Sequence, residues 1–315
     1  MRWLDGLLTL FAALLVAVNL LPLGARFWWV IDLTTHFRVQ YVAVTLVLLA
    51  LLALRRRWPA CVVLAAAGAV SVVPVVPYLP LAPRAAVVDV EPRLKVLSVN
   101  VSYRQFSVRR LLEMVRDIDP HVVVLQELTP YANEVLAPLD EPLPHYFKMP
   151  AEGRFGIAVW SRLPLESAVP FALGRQPAIE ARVRFRDGAV TLLGVHLNAP
   201  TSARRAAARD NELRLLAERS AAIEGPLVVA GDFNLTPYSP LFGDWLAASG
   251  LTDTRRGRTP SVSWRPADLP ILGIPIDHVA VSSEFAILAH RRLPNFGSDH
   301  YGVLAELALT GAETP

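Results

Sequence analysis

Three short stretches, far apart in the chain, carry the side chains best suited to chemistry: Asn100 with Glu127, Gly231-Asp232-Phe233-Asn234, and Ser298-Asp299-His300. Each follows or precedes an apolar run of strand type, so acids, amides and an imidazole from three regions could converge on one metal-bound phosphate. Asn100 closes the run Leu94–Val99; on its own such an Asn is more often a turn residue than a ligand. Glu127 stands just behind four consecutive aliphatic residues, Val122–Leu125, where a carboxylate is costly to bury unless it is paired or metal-bound. Asp232 and Asn234 are two residues apart after Leu227–Ala230, and alternate residues of an extended chain point the same way, so the pair could jointly hold a water or a phosphoryl oxygen. His196 follows Val190–Val195, and Asp277 opens the run His278–Val281.

The elements needed to position these groups are legible as strand-like runs at Leu94–Val99, Val122–Leu125, Ile157–Trp160, Ala181–Phe185, Val190–Val195, Leu227–Ala230, His278–Val281 and Val303–Leu309. Helical patterns occupy Ser107–Arg116 and Ala203–Ile223, the latter rich in the helix formers Ala, Arg, Glu and Leu. Strands outnumber helices and several are joined by short turn-rich links, which predicts two packed sheets carrying outer helices.

The first 80 residues differ in kind. The chain is 53% hydrophobic, high for a globular enzyme, and the excess is concentrated in three apolar runs, 4–23, 39–54 and 60–79. Each is expected to cross a ~30 Å hydrocarbon core, which takes about 20 helical residues. A cleavable signal peptide is the alternative for the first run, with Met1-Arg2 ahead of it and Leu23-Gly24-Ala25 behind; two further spans follow it, and no Ala-x-Ala site closes it. The cluster Arg55-Arg56-Arg57 lies between the second and third runs and should remain cytoplasmic. The expectation is therefore a multi-pass anchor (1–80) in the cell (inner) membrane, a linker (81–92), and a domain (93–310) on the extracytoplasmic side.

Seven basic and three acidic residues precede Glu91, leaving 24 basic and 25 acidic from Glu91 to the end. The basic character belongs to the anchor. The near-neutral domain lacks the broad positive footprint of a protein that neutralises many backbone phosphates. The single cysteine, Cys61, excludes an internal disulfide and any multi-cysteine metal site.

Taken in order, these motifs resemble the endonuclease/exonuclease/phosphatase superfamily, which includes deoxyribonuclease I, apurinic endonucleases, neutral sphingomyelinases and inositol polyphosphate 5-phosphatases. The resemblance runs from Arg93 to Ala308 and implies a four-layer α/β sandwich, two face-to-face β-sheets flanked by helices, with the site at one edge. It also implies a metal-dependent phosphoric ester hydrolase that uses Mg2+, with Mn2+ as an alternative. Carried over residue by residue, Glu127 looks like the principal metal ligand, with Asn100 beside it and Asp299 as a further acid. Asp232 looks like the group that orients the attacking water, and Asn234 like the amide that holds the phosphate. His300 resembles the imidazole paired with Asp277, and His196 the second imidazole. Asn198, Arg154 and Trp264 complete the expected site as substrate-binding residues. Whether Asp232 or His300 is the base stays open at this level.

Two departures bear on substrate. Apurinic endonucleases carry an acid two residues after the first Asn, where this chain has Ser102, and an Asn often found near the phosphate is replaced by Ile157. The stretch from Asp232 through Thr236-Pro237-Tyr238-Ser239-Pro240 to Ser263-Trp264 is similar to membrane-anchored bacterial members, including those linked to glycopeptide resistance and to polyprenyl-phosphate chemistry. The sequence thus favours a membrane-anchored phosphoesterase that hydrolyses a phosphate ester, phosphodiester or pyrophosphate bond of a lipid-linked substrate outside the cytoplasm. An extracytoplasmic metal-dependent nuclease acting on nucleic acid is the alternative. The bilayer is the expected partner; no protein partner is inferred.

Overall fold

The structure, a computed structural model, describes residues 2–81, 93–103, 105–258, 261–266 and 269–310. The chain divides into two compact units: Met1–Leu79 with Thr236–Gly243, and Pro80–Leu235 with Asp244–Pro315.

The first unit is helical. Its apolar runs form α1 (Arg2–Leu20), α3 (Arg38–Leu54) and α4 (Trp58–Val72), with the short α2 (Trp29–Thr35) between the first two. Its polarity is inverted relative to a water-borne core. Leu10, Phe11, Leu14, Leu46, Val47, Val62 and Val63 are exposed, whereas Asn19, Thr45 and Ser71 are buried. Asn19 Nδ2 donates to Thr45 Oγ1 at 3.1 Å across α1 and α3, and Gly68 of α4 brings its backbone against Thr45, where a Cβ would lie 2.9 Å from the threonine methyl. Close approach at small residues and interhelical hydrogen bonds are what hold helices together when the surroundings are as apolar as the side chains. At one end, Asp5 pairs with Arg55 at 3.4 Å and with Arg57 at 3.0 Å.

The three expected spans are corrected by length. Among the described residues only Asp5–Gly24 is by itself a helix long and apolar enough to cross a membrane. Trp29–Thr35 and Arg38–Leu54 meet that standard only when taken together, and they are bent by 60° at the break between them. The third run yields only 15 helical residues, Trp58–Val72, about 22 Å at ~1.5 Å per residue, because the chain leaves the helix before Pro74. The expected linker falls almost entirely on residues 82–92, outside those described.

The second unit holds two six-stranded sheets. The first runs in the order β11 (Phe285–Arg292), β12 (Val303–Leu309), β1 (Leu94–Asn100), β2 (Val122–Gln126), β4 (Ile157–Ser161), β3 (His145–Met149). The second runs β5 (Leu165–Leu173), β6 (Gln176–Phe185), β7 (Gly188–His196), β8 (Leu227–Asp232), β10 (Asp277–Val281), β9 (Thr252–Asp253). Alternation explains the layering. Val96, Val122, Val124 and Val159 face Ile179, Ala181, Leu192, Val228 and Val279 in the core between the sheets. Leu97, Val99, Val123, Leu125 and Trp160 point the other way, into a second core with Leu111 and Val115 of α5 (Val108–Ile118). Strands β1 and β2 are buried on both faces, hence their continuous apolar runs. The parallel pairs β1/β2 and β7/β8 are each joined by a crossover helix, α5 and α7 (Ala203–Ala221).

All eight expected strands form. The sequence reading missed β3, β5, β9 and β11: the burial of β5 and β11 is broken by polar, exposed or proline positions, and β9 spans two residues. The helices α2, α6 (Pro130–Val135) and α8 (Pro240–Ser249) were missed as well; two are under two turns long, and α8 opens on a proline after a turn-rich stretch.

Candidate active site

Strand direction brings the chemical residues to one edge. The parallel pairs put the ends of β1 and β2 in register, Asn100 beside Gln126, and the ends of β7 and β8, His196 beside Asp232. Antiparallel β10 starts where β8 ends, so Asp277 lies opposite Asp232. His300 precedes β12 and bridges to Trp264. Gly231 makes this junction feasible: at φ +155 it sits so close to β7 that a Cβ would lie 1.9 Å from the Val195 carbonyl oxygen. Gly156 plays the same part beside Glu127, its missing Cβ falling 1.9 Å from the Leu128 carbonyl.

Asp232 is the hub. Its Oδ2 accepts from Asn100 Nδ2 at 3.0 Å and lies 3.5 Å from His196 Nε2 and 3.8 Å from His300 Nε2, while Oδ1 accepts the Asn234 backbone N–H at 2.8 Å. The same Asn100 amide reaches Glu127 Oε1 at 3.4 Å, and Glu127 Oε2 accepts from the Tyr103 N–H at 2.7 Å. Ser102, Glu127 and Asn234 all adopt left-handed backbone conformations (φ 54, 63 and 49). Such residues cost about 1–3 kcal/mol each and cluster where surrounding structure holds a functional geometry. Asn234 turns its amide to donate to the Leu197 carbonyl at 2.9 Å.

The imidazoles are differentiated by their neighbours. His300 Nδ1 donates to Asp277 Oδ2 at 2.9 Å. Burial disfavours its charge, but the Asp277 carboxylate and this hydrogen bond overcome that and raise its pKa to about 10, so it is an imidazolium at neutral pH. His196 is buried and feels that same cation, which lowers its pKa to about 4 and keeps it neutral. Asp232 is raised to about 8 by burial and by the Asp277 charge, against the opposing pull of His300. Glu127 is also raised by burial, partly offset by its hydrogen bond from Tyr103 and the His300 charge.

The remaining expected residues lie around this group. Asp299 is exposed and accepts from Trp264 Nε1 at 3.0 Å; its charge helps raise His300. Trp264 is thereby a partner of that acid. Asn198 is fixed by Glu212 of α7, which accepts its backbone N–H at 2.8 Å and its side-chain amide at 2.5 Å. Arg154 lies over the Tyr103 ring, 5.3 Å from its centroid, and its charge acts on both Glu127 and His196. Ile157, in the place of the family's Asn, is buried in β4.

Several supporting residues were given no role by the sequence, although Ser263 and Ser298 lie in stretches it singled out. Ser263 Oγ accepts the backbone N–H groups of Ile276 and Asp277, both at 2.9 Å. Ser298 Oγ donates to the Asn100 carbonyl at 2.9 Å and accepts the His300 N–H at 3.0 Å, joining two motifs. Behind β10, buried Arg255 donates to the Asp277 carbonyl at 2.7 Å and His278 Nε2 lies 2.9 Å from the Leu235 carbonyl. Burial disfavours the Asp253 carboxylate there, yet Arg255 and His278 hold its pKa well below the usual range. The only sequence signal for these was a charged cluster, Asp253-Thr254-Arg255-Arg256, next to an apolar strand.

The donor set fits a divalent cation. Ligand atoms of Asp232, Asp277 and His300 lie within 4.8 Å of one another, with Glu127 linked to Asp232 through Asn100. Burial raises the proton affinity of two of these acids, and hard oxygen donors suit a hard cation. Within the triad, His300 Nδ1 is already committed to Asp277, so its short separations are those of a hydrogen-bonded acid–imidazole pair.

Two stacked mixed sheets with acids, amides and imidazoles gathered at one edge define a metal-dependent phosphoester hydrolase. Residues 97–300 match the endonuclease/exonuclease/phosphatase family, and the chain belongs to it. Among solved structures, an endonuclease/exonuclease/phosphatase from Beutenbergia cavernae DSM 12333 is similar over 70% of this chain and 72% of its own, at 24% identity and TM-score 0.55. D. rerio TDP2, solved with a single-strand DNA product, is similar over 69% of this chain and 100% of its own, at 16% identity and TM-score 0.61. The human Nocturnin catalytic domain, solved with a sulfate anion, matches over 71% and 97%, at 20% identity and TM-score 0.55. These likenesses establish the fold. No curated protein sequence matches the chain.

Proposed function

We propose that this protein is a membrane-anchored, Mg2+-dependent phosphoesterase acting on a lipid-linked phosphate ester, phosphodiester or pyrophosphate. The observation that carries the reading is the inverted polarity of the helical unit. It presents Leu10, Phe11, Leu14, Leu46, Val47, Val62 and Val63 outward, a larger apolar surface than a water-borne protein tolerates, in the same chain as a hydrolase site. Asp5 gathers Arg55 and Arg57 at the end of the unit where α1 begins. A basic cluster flanking apolar helices favours the cytoplasmic side, and acidic neighbours dilute that bias little. With that cluster inside, the reading takes α4 (Trp58–Val72), 15 residues long, to complete the crossing, which puts the catalytic unit outside the cytoplasm.

Glu127, with Asn100 and Asp299, would hold the cation, which when bound supplies the charge that polarises phosphoryl oxygens. Asp232 takes the proton of the attacking water. It lies at the centre of the group, 3.5 Å from His196 and 3.8 Å from His300, whereas His300, bonded to Asp277 at 2.9 Å, already carries a proton and cannot accept one. His300, oriented by Asp277, supplies positive charge and a proton toward the phosphate, and the neutral His196 supplies a hydrogen bond. Asn234, Asn198 and Arg154 hold the substrate's oxygens.

Full-length protein in detergent, supplied with Mg2+, should be offered lipid pyrophosphates, phospholipids, sphingomyelin and plasmid DNA. Turnover of one lipid phosphate far above the others is expected. Preferential cleavage of DNA would replace this reading with a nuclease. Alkaline phosphatase fused after Pro315 should be active; an inactive fusion reverses the orientation.

A further inference from the structure

Strand β10 pairs with β8 along one edge, and the alternation of backbone groups sends those of Asp277 to the other. The Ile276 carbonyl accepts the Phe233 N–H at 2.9 Å, so the N–H and C=O of Asp277 face away from β8. On that side β9 is only two residues long, and it meets β10 at Ala280 and Val281, past Asp277. A buried backbone group without a partner is costly, and here two side chains take the place of a strand. Ser263 Oγ accepts the Asp277 N–H at 2.9 Å, and Arg255 Nη2 donates to the Asp277 carbonyl at 2.7 Å.

The guanidinium is itself immobilised. Arg255 and Asp253 are both fully buried. The Asp253 carboxylate accepts the Arg255 backbone N–H at 2.9 Å and lies 3.5 Å from Nη1, which is also 3.1 Å from His278 Nδ1. A buried ion pair adds little net stability, because desolvation offsets the attraction. What it supplies is a planar fork held in one place, with one arm on the backbone of Asp277. The side chain of Asp277 in turn accepts from His300 Nδ1 at 2.9 Å, and His300 Nε2 lies 3.8 Å from Asp232. We propose that Arg255 is a positioning residue for the hydrolytic centre. By fixing the Asp277 carbonyl from the open edge of β10 it holds the carboxylate that orients His300, and Asp253 keeps Arg255 in place. Arg255 touches no substrate and acts through Asp277; all of these residues belong to the catalytic unit. This inference rests on the catalytic reading of Asp277 and His300.

The test uses full-length protein in detergent, Mg2+, and bis(p-nitrophenyl) phosphate, or, if the wild type leaves that diester intact, the best of the substrates offered above. Asp253→Asn combined with Arg255→Met removes the ion pair as a whole, so that no buried charge is left alone and the fold is spared. This double variant should lower kcat about tenfold, the scale on which a misplaced catalytic group is felt, with KM within about twofold. Hydrogen exchange should rise around Asp277 and stay as in wild type through β1 and β8. Added to Asp277→Asn, the same two changes should cost less than about twofold more, because changes that act through one residue do not add. A kcat within about threefold of wild type in the double variant overturns the proposal, and so does a loss that persists in full on top of Asp277→Asn. If the double variant fails to fold, Arg255→Lys decides. It keeps the charge beside Asp253 but not the fork, and should lower kcat about fivefold at unchanged KM; a kcat within about twofold of wild type overturns the proposal. Wild-type activity that Asp277→Asn leaves unaltered would remove the catalytic reading itself, and this inference with it; a large loss in Asp277→Asn beside a normal kcat in the Arg255 variants sinks the positioning role alone.

Discussion

Asp277→Asn isolates the contact on which the charge of His300 depends. The substitution keeps the size of the side chain and one acceptor oxygen opposite Nδ1, 2.9 Å away in the native site, but removes the negative charge. A rise in the His300 pKa from 6.5 to about 10 corresponds to on the order of 5 kcal/mol favouring the imidazolium, shared among Asp277, Asp232 and Asp299. Asp277 is the leading contributor, and losing one partner of a buried pair costs about 3–5 kcal/mol. Relief of the repulsion between Asp277 and Asp232 offsets part of this, so a net destabilisation on the order of 3 kcal/mol is expected. The rate should fall between about 10²- and 10⁴-fold, the range for a disabled acid–base group. The pH dependence of stability provides an independent readout. His300 has a raised folded pKa, so its contribution is fully present below about 6.5 and is lost as pH rises through about 10. Asp232 is also raised, and its proton-linked contribution is spent by about pH 8. The fall in stability between pH 8 and 10 therefore belongs to His300 and should flatten in Asp277→Asn. Denaturant midpoints measured in EDTA across pH 6–10, with kcat for a small diester in Mg2+, check both arms. A variant with kcat within threefold of wild type and an unchanged slope above pH 8 would refute the reasoning.

Glu127→Gln keeps shape but removes charge from a hard-cation site; Mg2+ affinity measured by calorimetry should drop at least tenfold, and undiminished hydrolysis by this variant or in EDTA would contradict the metal mechanism. Gly231→Ala forces a Cβ to 1.9 Å from the Val195 carbonyl, which should separate β7 from β8 and cost about 3 kcal/mol or more; an unfolding free energy within 1 kcal/mol of wild type would show that the strands yield easily. Trp264→Phe deletes the 3.0 Å hydrogen bond to Asp299, a solvent-screened contact worth about 0.5–1.5 kcal/mol. If Asp299 serves the site, kcat/KM for the diester should fall at least fivefold, and a value within twofold would place that acid outside the machinery.

Strand periodicity and motif order were enough to identify the family and most of the groups that meet at the edge of the sheets. The aliphatic runs before Asn100, Glu127, His196 and Asp232 are strands because both their faces are buried, and a chemical residue at the end of such a strand has only the sheet edge to occupy. Which groups would touch, and with what charge, depended on register. Asp277 faces Asp232 because β10 pairs antiparallel to β8, and that proximity, with burial, sets the proton affinities of Asp232 and His300; no one-dimensional pattern encodes a distance between residues 232, 277 and 300. The lengths of the apolar helices were likewise not legible from hydropathy: the 60° bend after α2 is a feature of backbone geometry, and the early end of α4 is set by Pro74, which a hydropathy average does not weigh. The pairing of Asp32 and His36 with Ser239 and Thr236 spans about 200 residues. Hydropathy gives Asp32 and His36 no partner; only the folded chain shows which groups they meet.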